Sequence, residues 1–543
     1  MVITLAFACR APQAEPTETL NTYDQLVTFF TGWRAFQQPP VNNGVPDYSI
    51  TSMRTQQEQL TRWQQRLQQF DTTGWPVKHQ IDWYLVRAEM NGLDFDHRVL
   101  QPWVRDPAFY VWFYPDPSDV PRREGPVIFG AVDLQFYPDS LNISQAAEIA
   151  ARFRLARTVY ERARQNLTGN ARDLWITGVR SLRAQSEELS DYARAMRAQF
   201  PDLAAAALEA RAASQDFTSW LDAQAVNKNG PSGVGKENYN WYVHHVHLMT
   251  YSWRDEKILL ERELARSHSA LRFAEHRNRK LPRLEKASTA AVYSNMLTEG
   301  VNEFMRFMEE EEFMTVKPYM KRAMLAQIKP FVPIEGMRSF FDEVDYRDPM
   351  PMRGHHFHWI DKEREIVDPI ESPIRREPLL YNIYDSRAEG MATAMEELIM
   401  NAGMLESRPR AKELVYIMLA QRAARGLGGL YQHGGEMTYD SATRFASHWV
   451  PGGLLPATGS TIQWEEQFYL RQPGYGSSYV VGKLDMDKLI AEYARQREGK
   501  FKLKDFMDAF NKVGIIPTSL VYWEMTGSKA LLNQAVGNGD DGQ

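Results

Sequence analysis

The chain is 543 residues long and slightly acidic, with 69 Asp and Glu against 63 Lys and Arg and 43% hydrophobic residues. Such a length buries one large core or two coupled ones, and a formal charge of -6 argues against the basic field of a nucleic-acid-binding protein. Cys9 is the only cysteine, which excludes internal disulfides, Cys-rich zinc sites and paired-thiol redox chemistry.

The first nine residues, MVITLAFAC, form an apolar run closing on small residues and the cysteine, ahead of the Pro- and Glu-containing APQAEPTE. This is the pattern at the end of a bacterial lipoprotein signal, although it is short and no basic segment precedes it. On that reading residues 1–16 are a signal-like tail and Cys9 carries a lipid anchor. The protein then sits in a bacterial cell envelope, on the periplasmic side. The alternative is an ordinary tail, with a cytoplasmic location left open. No run of about 18 apolar residues occurs, so no transmembrane helix is expected.

Helices are expected at Thr17–Trp33, Tyr48–Phe70 and Trp75–Gly92. Gln101–Asp139 is dense in Pro and aromatic residues (FYVWFYPDPSDVP) and reads as a structured loop. Helices at Ser144–Gln165, Asp173–Gln199 and Pro201 to Ala223 follow, punctuated by Thr168-Gly169-Asn170 and Pro201-Asp202. The polar run Asn227–Asn238 is the clearest break, and it separates an N-terminal helical region (17–226) from a second one (235–530) in one integrated domain. Beyond it, Trp253, Leu260, Leu264 and Leu271 make an apolar stripe at helical spacing. Further helices are expected at Thr289–Glu311, Arg387–Ala402, Ala411–Leu430 and Met486–Arg497. Strand-like alternation is scarce and no repeat is found, so the expected fold is mainly α.

The C-terminal region carries ordered motifs. Arg471–Lys483 reads RQPGYGSSYVVGK, followed by FKLKDFMDAF (Phe501–Phe510) and GIIPTSL (Gly514–Leu520). Upstream lie SRAEGMATAMEEL (Ser386–Leu398) and KENYNWYVHHVHLMTYSWRDE (Lys236–Glu256). In this order, over Gly235–Gly527, they resemble the DUF885 family of bacterial peptidase-like proteins. The resemblance implies a large helical fold with a deep central cleft. In typical members it also implies a zinc site made by a His-Glu-x-x-Pro-Gly-His segment and the glutamate of the Glu-Gly helix. Glu389 falls on that glutamate and Gly354-His355 on the closing Gly-His, but Pro349-Met350 stand where the leading His-Glu belongs. A catalytic zinc normally has three protein ligands and a base that takes a proton from its water. Proline and methionine supply neither, so a standard zinc-peptidase mechanism is not expected.

What replaces the motif is a concentration of imidazoles: His355, His356 and His358 are three of the twelve histidines. In a helix His355 and His358 share a face, and with Glu389 they would make a His2Glu set able to hold a divalent metal such as zinc. The bland reading is that they hydrogen-bond buried carbonyls or carboxylates. His356 or Glu396 would then have to activate water. Tyr479 suits an oxyanion donor and Arg471 a carboxylate clamp. Tyr475, His247, Trp253 and Arg387 are further substrate-binding candidates, His247 belonging to a second cluster with His244 and His245. Arg387, Arg375 or Arg376 could instead pair with Glu389, and His433 with Glu436 is a weaker acid–base candidate.

Three functions follow from these residues. The first is an enzyme with an enclosed helical cleft that hydrolyses a small peptide-like or carboxylate-bearing molecule through an altered metal site. The second is a metal-free acid–base lyase on a small, conceivably aromatic, substrate. The third is a non-catalytic envelope protein that binds peptides or a partner.

Overall fold

Short polar residues set the helix starts. Thr22 with Gln25, Asn142 with Gln145 and Ser252 with Asp255 close capping boxes on the helices Tyr23–Phe36, Ile143–Arg154 and Trp253–Arg277, satisfying N–H groups that a first turn leaves unpaired. The computed structural model describes residues 20–333 and 338–537 and is mainly α; Cys9 and the tail before Leu20 lie outside the described residues. Strands among the described residues are two short pairs. Val41–Asn42 runs antiparallel to Val45–Pro46, and Phe113–Tyr114 runs parallel to Val132–Asp133.

Two apolar cores organise the helices. The first joins Tyr23–Phe36, Ile50–Gln68 and Val77–Phe95 to the helices after residue 234, through buried residues such as Trp33, Leu85, Leu260, Met395 and Val480. The second holds Ile143–Arg154, Ala156–Asn166, Arg172–Met196 and Pro201–Ala225 around Trp112, Phe153, Trp175 and Phe217. Ala204, Ala207 and Ala210 give Pro201–Ala225 a thin buried face, which lets it lie close along Arg172–Met196. No helix among the described residues is long and apolar enough to cross a membrane.

The expected helix Ser144–Gln165 is two, with the turn at Leu155. The turn carries the Leu155 side chain onto Gly44 of the Val41–Pro46 hairpin, so tertiary packing overrides a continuous helical pattern. The Pro-rich segment does lack long regular structure. Its root is fixed where the backbone N–H groups of Trp112 and Phe113 donate to the buried Gln185 side chain, at 2.5 and 3.0 Å. From there residues 115–131 run as a strap that reaches the first core at Val120 and returns to the second at Ile128.

Candidate active site

Glycines decide how closely the site helices approach. A side-chain carbon at Gly390, in the helix Asp385–Asn401, would lie 2.3 Å from the Gly482 Cα in the helix Tyr475–Gln496. One at Gly354 would lie 2.9 Å from the Glu396 backbone nitrogen. The Gly390–Gly482 crossing brings Glu389 against the tyrosines of the second helix, and the Gly354 contact brings the histidine segment onto the first. That segment is itself two short helices, Met350–His355 and Phe357–Val367, hinged at His356.

His358 and Glu389 are both buried, with His358 Nε2 3.2 Å from Glu389 Oε2. The other Glu389 oxygen accepts a 2.5 Å hydrogen bond from the Tyr475 hydroxyl, which lies 3.5 Å from that of Tyr479. Burial opposes charge on His358, but Glu389, Asp119 and Asp361 outweigh it and raise the imidazole to about 9. Burial likewise opposes charge on Glu389, yet His358 and the hydrogen bonds hold its carboxyl below the usual range. The two directions agree on an imidazolium–carboxylate pair.

The His355 ring stands nearly perpendicular to that of His358, 5.1 Å away. Its Nδ1 is 3.2 Å from Glu396 Oε1 and 3.1 Å from an Arg422 nitrogen, and Arg422 donates to Glu396 at 2.5 Å. Burial and then Arg422 push the His355 imidazole well below its ordinary value, while burial lifts Glu396 to about 8 despite Arg422. Behind them Arg425 pairs with Glu465 and lies over the Tyr479 ring, 4.2 Å from its centre.

The strap completes the cluster. Half-buried Asp119 brings a carboxylate to His355 and His358, so that one donor atom from each lies within 4.8 Å of the other two. Burial and the nearby Glu389 raise its carboxyl. Burial and Asp119 push Glu124 up to about 7. Several bonds hold the strap in place. Arg122 N–H donates to the Tyr384 hydroxyl at 2.9 Å, Gly125 N–H to Gln472 at 2.7 Å, and Asn382 to the Arg123 carbonyl at 3.1 Å. Lys362 donates to the Ser118 carbonyl.

His355, His358, Glu389, Tyr475 and Tyr479 therefore meet, with Glu396 behind His355. The other sequence candidates lie apart. His356, at the hinge between the two short helices, turns toward Arg353 and Lys329 and is kept neutral by burial and by those cations. Arg387 is spent on Asp361 at 3.0 Å and on the Phe510 ring. Arg471 is bound by Asp106 and the Pro126 carbonyl, both at 2.6 Å, which leaves it no free fork for a carboxylate. Trp253 packs in the first core and donates to the Leu430 carbonyl. His247 is fully buried beside Tyr242, and neither ring nitrogen finds a hydrogen bond of normal geometry. His433 bonds the Tyr469 carbonyl while Glu436 pairs with Lys236, and Arg375 pairs with Asp82. Sequence reasoning missed Asp119, Glu124, Arg422 and Arg425. The one available signal was the strap's Pro and aromatic density, which marks an ordered loop without saying which acid it presents.

No family model and no curated protein matches the chain. Solved structures do. One is a candidate lipoprotein of unknown function from Shewanella oneidensis, 16% identical over 92% of this chain and 97% of that one, with a TM-score of 0.64. Another is a candidate lipoprotein from Colwellia psychrerythraea, 13% identical over 95% and 98%, with a TM-score of 0.66. At such identities the likeness establishes a shared fold across nearly the whole chain.

Proposed function

We propose that the protein is a cell-envelope hydrolase of a small peptide-like or carboxylate-bearing molecule, with one divalent cation such as zinc held by His355, His358, Asp119 and Glu389. The observation that carries this reading is the convergence of two imidazoles and two carboxylates, with 4.8 Å enclosing the donors of three residues and 3.2 Å separating His358 from Glu389. Asp119, His355 and His358 would hold such a cation, and Glu389, bonded to His358 and Tyr475, would join them as a further carboxylate ligand. Arg422 donates to His355 Nδ1 and to Glu396, so the Arg422–Glu396 pair sets the orientation of the His355 ring. A bound cation would polarise a carbonyl and acidify water.

The protein's own groups supply the remainder. Glu124, near neutrality and facing Asp119 and Glu389, takes the role left empty at Met350: it accepts a proton from water and returns it to the leaving group. The Tyr479 hydroxyl donates to the developing oxyanion, and Tyr475 holds Glu389 in place. The resemblance to DUF885, the MVITLAFAC segment and the candidate-lipoprotein description of both structural neighbours support an envelope location with a lipid on Cys9.

Elemental analysis of the purified protein, with a screen of dipeptides and N-acyl amino acids in labelled water, tests this reading. One equivalent of metal, chelator-sensitive turnover and solvent oxygen in the product are expected. Metal-free protein with chelator-insensitive turnover would refute it. A metal-free lyase is the second reading, favoured by the unbroken chain His358–Glu389–Tyr475–Tyr479 as a proton path; its product would carry no solvent oxygen.

A further inference from the structure

A cleft of about 620 Å³ opens beside the strap, bordered by Arg122, Arg123 and Gly125 and walled by Tyr48, Trp103, Phe109, Tyr242 and Tyr381. Its charges are not balanced within the protein. Of the arginines that line it, Arg34 pairs with Glu89, Arg123 with Asp133, Arg152 with Glu148 and Arg471 with Asp106. The half-buried Arg122 guanidinium has no acidic partner among the described residues; only its backbone N–H is engaged, by Tyr384.

Asp96 is the complementary case. It opens the π-helical turn Asp96–Leu100, and its carboxyl has no hydrogen bond or ion pair to a side chain among the described residues. It faces the phenols of Tyr48, Tyr242 and Tyr381, and burial lifts it to about 8. The wall is also conformationally unusual. Tyr381 and Asn382 have φ of 56° and 48°, and Gln101, behind Leu100, has 41°, left-handed values that non-glycine residues rarely adopt. Gly92 makes room for this arrangement, since a side-chain carbon there would lie 2.3 Å from Tyr381 Cγ. A π-turn and strained residues gathered on one cavity wall are features that recur at ligand sites.

We propose that this cleft binds a small organic zwitterion with an aromatic or apolar body, its ammonium group seated against Asp96 and its anionic group against Arg122. A carboxyl among aromatic rings suits an ammonium group, which gains both an ion pair and contact with the ring faces. A guanidinium without a partner suits a carboxylate or a similar planar anion. Ligand charges would replace the missing protein partners at both ends, and the cleft volume is that of a small-molecule site. The inference goes beyond the hydrolase reading and does not depend on a metal or on turnover.

Calorimetric titration of the full chain at about pH 9, where a carboxyl lifted to about 8 is ionised and an alkylammonium keeps its proton, tests it with three probes: phenethylamine, 3-phenylpropanoate and 4-(2-aminoethyl)benzoate. The same titrations in a His358→Ala background keep the outcome separate from the fate of the hydrolase reading. The amphoteric probe is expected to bind at least about tenfold more tightly than either monopolar one, as one added charged contact at each end requires. Asp96→Asn should remove the preference for the amine and Arg122→Gln the preference for the carboxylate, while Arg122→Lys keeps part of it. The proposal falls if no probe binds at millimolar concentration, if the amphoteric probe has no advantage, or if both variants keep wild-type affinities and melting temperatures. The wild-type comparison stands without any variant, so a misfolded substitution cannot rescue the idea.

Discussion

The segments His355–His358 and His244–His247 carry the same spacing, two adjacent imidazoles and a third two residues on, and both are largely buried. Burial drives the His247 imidazole down to about 3. At His358 the same penalty is overcome by Glu389 and Asp119, and the imidazole rises to about 9. His244 follows His247 downward, again through burial. The spacing of histidines is therefore silent about chemistry. A carboxylate delivered from elsewhere in the chain turns one cluster into an ionised centre and leaves the other as packing.

Removing the partner should break this contrast most strongly. Glu389→Ala strands a buried imidazolium and is expected to cost about 3–5 kcal/mol in denaturant unfolding of chelator-treated protein; a cost below about 1 kcal/mol would mean the pair is not formed. Next in size is the titration itself. In metal-free protein, NMR of His358 should give a midpoint near 9, and Glu389→Gln should bring it below 6.5. The stability that His358 contributes is then complete below pH 6.5 and lost as pH rises through about 9. The thermal melting of His358→Gln should accordingly fall less over that interval than that of the parent.

A smaller effect belongs to Glu396. Glu396→Gln removes the carboxylate that holds Arg422 against His355 and should weaken metal retention by about 10–100-fold, and equal retention in both proteins would deny it that role. The smallest belongs to the second cluster. His247→Leu loses no well-formed hydrogen bond and should change stability by less than about 1.5 kcal/mol, with metal content unaltered. A loss as large as that of Glu389→Ala would erase the distinction drawn between the clusters.

The segments Ser386–Leu398 and Arg471–Lys483 were singled out from the sequence by their resemblance to family motifs. That Gly390 and Gly482 make a close helix crossing is seen only in the structure, and glycine and serine hide the helical period there. That is why the helix Tyr475–Gln496 begins well before Met486, where apolar spacing first reveals it. His355 and His358 were expected to meet on one face of a helix; they do meet, but across the break at His356 between two short helices. Asp119 and Glu124 were not, since a loop fixed by bonds to Gln185, Tyr384 and Gln472 obeys no spacing rule. Arg387 and Arg471 show the opposite error: long cations near a motif were read as available when buried acids already held them. The two cores were equally hidden, because the helices before residue 100 pack with partners that arrive only after residue 234.

The strap hangs between the cores like a bridge with an abutment on each, and it contributes no helix to either. Two acids of the proposed centre travel on it. They are held there by the bonds of Ser118, Arg122, Arg123 and Gly125 to Lys362, Tyr384, Asn382 and Gln472, so the ionisation of a helical centre is set by a segment that belongs to no helix.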